Sequence, residues 1–221
     1  MLPQQAEANA QTDSHIIAAG VSLDDYMAHY AAEHCEWVEG VVIKVAANAL
    51  QHITLERVLY ILLAQYFGRR PLGQIIGQPF VMRLPAFPNR RREPDLLAVM
   101  HSNPARLEKT FLDGAANLVI EIVSEESAER DRGEKFVEYE TGGVEEYWVI
   151  DYLREDVLFY RLEDGLYARQ PIVDGHYRTP LLPDFSLEIA FLWRESFPLP
   201  SALAAMVDAM LGSGDPGAAQ S

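Results

Sequence analysis

The feature that most constrains this chain is an apolar run with one charge inside it, Leu118-Val119-Ile120-Glu121-Ile122-Val123. Such a run, bounded by turn chemistry, reads as a strand buried on both faces of a sheet. On a pleat of period two, the Glu121 side chain points the same way as Val119 and Val123. An ionised carboxylate there costs roughly several kcal/mol unless a cation or hydrogen-bond donors meet it. The strand therefore predicts a partner for Glu121.

A second acid has a related setting. Asp95 follows Pro94 and opens the apolar stretch Leu96-Leu97-Ala98-Val99. Proline is tolerated at the first residue of a strand, which places Asp95 at that strand's entrance. Two acids at strand positions of one sheet suit a divalent cation. The alternative is that Asp95 caps a turn while Glu121 pairs with a nearby arginine. Lys135 follows Glu121 on a helix-patterned segment that must fold back across the sheet. It either aims at the carboxylate end of the strand or makes an exposed pair with Asp131, four residues before it, of little energetic weight. His52, near the start of a long helix, and Glu36, at the entry to a hairpin, suit packing as well as function. Gln78, in Gly77-Gln78-Pro79, reads as a turn residue.

The remaining pattern predicts the scaffold. Ser22 caps a short helix running to about Glu33, and residues 37–43 read as a small hairpin. Apolar residues from Ile53 to Tyr66 recur at helical spacing, predicting a helix over Leu50–Phe67 that Gly68 stops. Strands are expected at Ile75–Leu84, Pro94–Met100 and Leu118–Val123. A helix over Ser127–Glu140 leads to strands at 147–150, 157–160 and 167–169, with hairpin turns at Asp164-Gly165 and Asp174-Gly175. A last helix covers Ser201–Leu211. The expectation is an α+β (α/β-like) domain with a central mixed sheet over residues 21–195. A disordered leader over 1–20 precedes it, and a C-terminal helix and flexible tail over 196–221 follow.

Composition bounds the function classes. With 49% apolar and 23% charged residues, the chain has enough material for a sizeable core. It lacks an apolar stretch of the ~18 residues needed to span a bilayer. The absence of Lys and Arg from the first twenty residues argues against a secretory signal. A single cysteine, Cys35, has no internal disulfide partner, and no zinc spacing of Cys and His occurs. A cytoplasmic protein with no membrane partner is the expectation. No phosphate-binding glycine loop, dinucleotide fingerprint, nucleophile elbow or His-Glu-x-x-His motif is present. NTPase, dinucleotide oxidoreductase, serine-hydrolase and zincin readings therefore lack support.

The net charge of −15 is unfavourable for a polyanion, yet it is unevenly spread. From Arg57 to Arg92 there are seven arginines and no acid. A nucleic acid could dock on such a face through Arg83, Arg90, Arg91 and Arg92, or the arginines could form a solvated loop around Pro88-Asn89.

In order, the chain carries Glu36-x-x-x-Gly40, His52 opening a helix, Glu93-Pro94-Asp95-Leu96-Leu97-Ala98-Val99, and the Glu121 strand. Asp131-x-x-x-Lys135-x-x-x-Tyr139 and Gly143-Val144-x-Glu146-Tyr147-Trp148-Val149-Ile150-Asp151 complete the series. Over about residues 21–190 this series resembles the Uma-type family of restriction endonuclease-like proteins, within the PD-(D/E)XK nuclease superfamily. The resemblance implies a restriction-endonuclease-like mixed sheet flanked by helices and presenting an acidic metal site. It matches Asp95 to the Asp of the Pro-Asp motif and Glu121 to the Glu of the second half-motif. Val123 stands where that half-motif has its lysine, and the resemblance implies that Lys135 replaces it. Glu36 and His52 fall at family motif positions as supporting residues. Relatives often read Ser-Pro-Ser-Thr after the glutamate strand, where this chain has Ser124-Glu125-Glu126-Ser127.

The activity so implied is Mg²⁺-dependent hydrolysis of DNA phosphodiester bonds, with Mn²⁺ as a substitute. Asp95, Glu121 and the Ile122 carbonyl would be ligands for the hard ion, and Lys135 would act on the nucleophile. A homo-oligomer, expected to be a dimer, is the implied assembly. Two rivals stand beside this reading. One is a catalytically inactive nuclease-fold protein acting as an interaction or oligomeric module, favoured by the acid-rich segment 121–140. The other is hydrolysis of a smaller phosphate ester such as a nucleotide.

Overall fold

The computed structural model describes residues 16–44, 50–123 and 133–212. From the amino end, β1 (Ile16–Ala19), α1 (Leu23–His29), β2 (Cys35–Val38) and β3 (Val41–Lys44) lead to the long helix α2 (Leu50–Arg69). Strands β4 (Gly73–Gly77), β5 (Val81–Arg83), β6 (Arg90–Arg91), β7 (Leu96–Met100), β8 (Arg106–Leu107), β9 (Phe111–Asp113) and β10 (Leu118–Ile122) follow. Helix α3 (Glu134–Gly142) precedes β11 (Glu146–Asp151), β12 (Asp156–Glu163), β13 (Leu166–Arg169), β14 (His176–Arg178) and β15 (Ser186–Glu188). A 3₁₀ turn (Ile189–Trp193) and helix α4 (Pro200–Gly212) close the described chain.

Six strands form the central sheet in the order β13-β12-β11-β10-β7-β4. Only β10 and β11 run parallel, because α3 makes the crossover between them; the other neighbours are antiparallel. The mixed α+β architecture is the one expected from the sequence. Alternation along β10 decides what each face receives. Leu118, Ile120 and Ile122 enter the core under α2 and α4, with Leu55, Leu59, Leu62, Tyr66, Leu203 and Val207. Val119 and Val123 enter the opposite core with Tyr139, Tyr147 and Val149. Each large apolar side chain so buried contributes about 2 kcal/mol, which is why α2 holds its long apolar stripe against the sheet.

A smaller sheet, β1-β3-β2-β6, packs Tyr26, Trp37 and Val42 into a third core. Ser22 caps α1, its side chain accepting from the Asp25 amide at 3.1 Å. The β2–β3 turn places Glu39 and Gly40 both at positive φ. β5, β9 and β8 form a three-stranded sheet beside the second core.

Several boundaries depart from expectation. Residues 16–19, expected within the leader, form β1 by pairing with β3. Gly68 does not stop α2, which runs to Arg69. Arg69 is held there by Asp208 of α4, and the stop comes before Pro71, a residue that disfavours helix at its predecessor. The strand expected over 75–84 splits into β4 and β5, which join different sheets on either side of Gln78-Pro79. At Gly73 a Cβ would sit 2.3 Å from the Val99 carbonyl, so only glycine permits the β4–β7 register. Ser124–Ser127 and the first part of the helix expected over 127–140 lie outside the described residues, as do residues 1–15 and 213–221. Among the described residues, no helix is long and apolar enough to cross a membrane.

Candidate active site

The site lies where β7 and β10 part. Their last paired residues are Leu96 and Ile120, so the register sets Asp95 across from Glu121 one step further on. Pro94 has no N–H to continue the ladder, and the Asp95 side chain takes over. Its Oδ2 accepts the Ile122 amide at 2.6 Å and lies 3.3 Å from His52 Nε2. Its Oδ1 accepts from the Gln78 side-chain amide. Gln78, expected as a turn residue, thus orients the first candidate ligand.

Glu121 is 2% exposed. Its Oε1 accepts the Tyr139 hydroxyl at 2.7 Å and lies 2.9 Å from Lys135 Nζ. Lys135 also lies 3.4 Å from Glu36 Oε1. Lys135 and Tyr139 are four residues apart, so one face of α3 delivers both to the strand. The left-handed Gly143 ends α3, its amide bonding back to Glu140 and Tyr139 carbonyls. Burial, and next the Glu121 charge, hold the Tyr139 phenol far above its ordinary range, so it stays a proton donor.

The site thus has two arms, Asp95–His52–Gln78 and Glu121–Lys135–Glu36, joined through the backbone at Ile122. Burial opposes the His52 imidazolium, but the Asp95 hydrogen bond and charge, Glu56 and the Ile122 backbone outweigh it and raise the pKa. The same two groups, the Asp95 carboxylate and the Ile122 backbone, are those a divalent cation would use. Glu93 adds a buried carboxyl beside Glu36: burial, and next the Glu36 charge, push it up to about 8. Neither of its oxygens has an aligned hydrogen-bond partner among the described residues, although His34 Nδ1 comes within 3.1 Å of one.

Among the described residues no three His, Cys, Asp or Glu side chains stand together as a metal cluster. An ion here would take Asp95, Glu121 and the Ile122 carbonyl from the protein and fill its remaining shell with water and phosphate. That all-oxygen, water-retaining set suits Mg²⁺.

The arginine window is used differently from the expectation. Arg92, 2% exposed, lies 2.9 Å from Glu36 and 2.6 Å from Glu138, and reaches Glu134 at 3.1 Å. A guanidinium enclosed by three carboxylates is not presented to a phosphate. Arg91 is buried, donating to the Pro88 and Arg90 carbonyls beside Trp37. Arg90 pairs with Glu138 and Glu39. Arg83 lies 3.8 Å from Asp113 and stacks over Phe111. Sequence reasoning missed the acids that absorb these charges, Glu138 above all. It also gave Tyr139 and Glu93 no role. Tyr139 had a readable signal in its helical spacing from Lys135.

Of the described proteins of known structure, a "putative nuclease belonging to DUF820" from Anabaena variabilis matches with a TM-score of 0.65 at 17% identity. The match covers 78% of this chain and 97% of the other. At that identity the likeness is one of fold. No curated protein matches the chain. Residues 23–191 match the Uma2 family, described as "Putative restriction endonuclease". That span includes both arms of the site and most of the chain, and the protein belongs to the Uma2 family.

Proposed function

We propose that the protein is a Mg²⁺-dependent endonuclease that hydrolyses DNA phosphodiester bonds. The observation that carries this reading is the meeting of Asp95, the Ile122 backbone and the Glu121–Lys135 pair where two central strands diverge. A purely structural sheet would fill these positions with apolar side chains, because each buried charge costs roughly several kcal/mol.

Asp95, Glu121 and the Ile122 carbonyl would hold the ion, with Mn²⁺ as a substitute. When bound, Mg²⁺ supplies charge neutralisation at the phosphate and makes water more acidic. The remaining work falls to the side chains. Gln78 and the Ile122 amide fix the Asp95 carboxylate, and the Tyr139 hydroxyl fixes that of Glu121. Lys135 Nζ stands against Glu121, where it can orient the attacking water, accept its proton once deprotonated, or steady charge developing on the phosphate. Burial of the pair keeps these interactions in a low-dielectric setting.

The test is incubation of the full chain with supercoiled plasmid and Mg²⁺ or Mn²⁺, with EDTA as the control. Wild type is expected to yield nicked and linear DNA. Asp95→Ala, Glu121→Ala and Lys135→Ala are each expected to lower the rate at least ~100-fold. Cleavage that ignores all three substitutions would remove the proposal.

A further inference from the structure

Six of the seven arginines between Arg57 and Arg92 have partners within the chain. Arg69 pairs with Asp208 and Arg70 with Asp184, and the other four are held as described above. Arg57 is the exception. It is exposed on α2 and makes no ion pair or side-chain hydrogen bond among the described residues.

Arg57 lines a groove of about 510 Å³ between α2 and the edge strand β4, with Ile53, Glu56, Tyr60, Ile76 and Gln78. The groove adjoins the candidate active site through Gln78, a lining residue whose side-chain amide donates to Asp95. Tyr60 is 41% exposed, its ring part of the groove wall one helical turn from Arg57. Glu56 lines the same groove; burial, and next the Asp95 charge, push its carboxyl up to about 7.

We propose that this groove binds the nucleic-acid strand flanking the scissile phosphate. Arg57 takes a backbone phosphate, and Tyr60 stacks an unpaired base. The inference rests on the nuclease reading and names the surface which that reading otherwise lacks. Local charge selects the occupant: Arg57 is an exposed cation without an acid partner among the described residues, complementary to a phosphate despite the chain's overall negative charge. An aromatic ring one turn away supplies the sequence-tolerant platform that single strands use.

The experiment is fluorescence anisotropy of the full chain with a labelled single-stranded DNA of about ten nucleotides. Ca²⁺ replaces Mg²⁺, since it accepts the same hard-oxygen ligands in looser geometry. Plasmid cleavage in Mg²⁺ runs in parallel. Arg57→Gln should reduce the slope of log affinity against log salt by ~0.7, the value for one phosphate contact on a single strand. Tyr60→Ala should weaken binding roughly tenfold and abolish quenching of a 2-aminopurine placed in the strand. Arg106→Gln, whose side chain pairs with Glu108 and Asp113 elsewhere, should match wild type.

If the protein binds and cleaves DNA while both groove variants behave as wild type, the groove assignment is overturned and the nuclease reading stands. If wild type neither binds nor cleaves, both fall together. If the variants change the sedimenting mass and leave oligonucleotide affinity untouched, the groove is a contact between copies of the chain and the proposal is wrong.

Discussion

The Ile122 amide donates to Asp95 Oδ2 at 2.6 Å, so one carboxylate both closes the sheet where β7 ends and presents charge to the site. The two roles separate by substitution. Asp95→Asn keeps an oxygen that can accept the Ile122 amide but removes the charge. It should lose less unfolding free energy than Asp95→Ala, because Asn cannot accept from both Ile122 and Gln78, whereas Ala leaves both buried donors unpaired and should lose about 1–3 kcal/mol for each. Both should abolish the Mg²⁺ binding heat in titration calorimetry. An Asn variant that still binds Mg²⁺ like wild type would show that Asp95 is not a ligand.

Much of this arrangement was legible in the sequence because it depends on local pattern. The apolar run around Glu121 and the Pro94-Asp95 entrance to another strand placed both acids at strand positions of one sheet. The helix pattern following the Glu121 strand, which must fold back across the sheet, let Lys135 aim at the carboxylate. What pattern does not encode is which distant charges cancel. Arg90 and Arg92 lie in a window free of acids, yet Glu36, a partner of Arg92, precedes them by more than fifty positions and Glu138, a partner of both, follows by more than forty. A local charge count therefore reads as a basic surface what the fold uses as an internal clamp. The strand break falls at Gly77-Gln78-Pro79, where the sequence offered a turn residue inside the strand expected over 75–84; what it did not show is that separate sheets claim β4 and β5.

The clamp has an energetic consequence. Arg92→Met would leave Glu36 and Glu138 buried without their shared guanidinium. Loss of one partner from a buried ion-pair network typically costs about 3–5 kcal/mol. Arg57→Gln, at an exposed site with no partner among the described residues, should stay within about 0.5 kcal/mol of wild type. Urea denaturation of the two variants reads the difference. Equal, small losses in both would show that Arg92 is not the structural cation its burial implies.

Glu93 should make stability fall as pH rises. Its carboxyl is raised from an ordinary value of 4.5 to about 8, first by burial, then by the Glu36 charge, against the pull of Lys135. Between those values the folded state holds a proton that the unfolded chain releases, so the unfolded state binds fewer protons. Stability is then complete at the acid end of the window and is lost toward its alkaline end, by a few kcal/mol at most. Glu93→Gln imitates the protonated form. Its unfolding free energy should vary less between about pH 5 and pH 8 and exceed that of wild type at the upper end. A variant with the same pH profile as wild type would assign the dependence to other groups.

Lys135 can serve the proposed reaction as a fixed cation or as a proton acceptor, and arginine at the same position tells these apart. The ammonium lies 2.9 Å from Glu121 Oε1 and 3.4 Å from Glu36 Oε1, so its charge is held by two buried carboxylates. Lys135→Ala removes both charge and proton site and should lower kcat roughly 100-fold or more with little change in KM for DNA. Arginine keeps the charge but does not lose its proton in proteins. If Lys135 steadies developing negative charge, Lys135→Arg should recover at least about tenfold over Lys135→Ala, with a pH–rate profile shaped like that of wild type. If it takes the proton, Lys135→Arg should be as slow as Lys135→Ala. Unfolding midpoints measured alongside show whether the alanine variant has instead lost its fold, since it leaves Glu121 with the Tyr139 hydroxyl but without the lysine charge. A folded Lys135→Ala protein that cleaves at the wild-type rate would take Lys135 out of the mechanism.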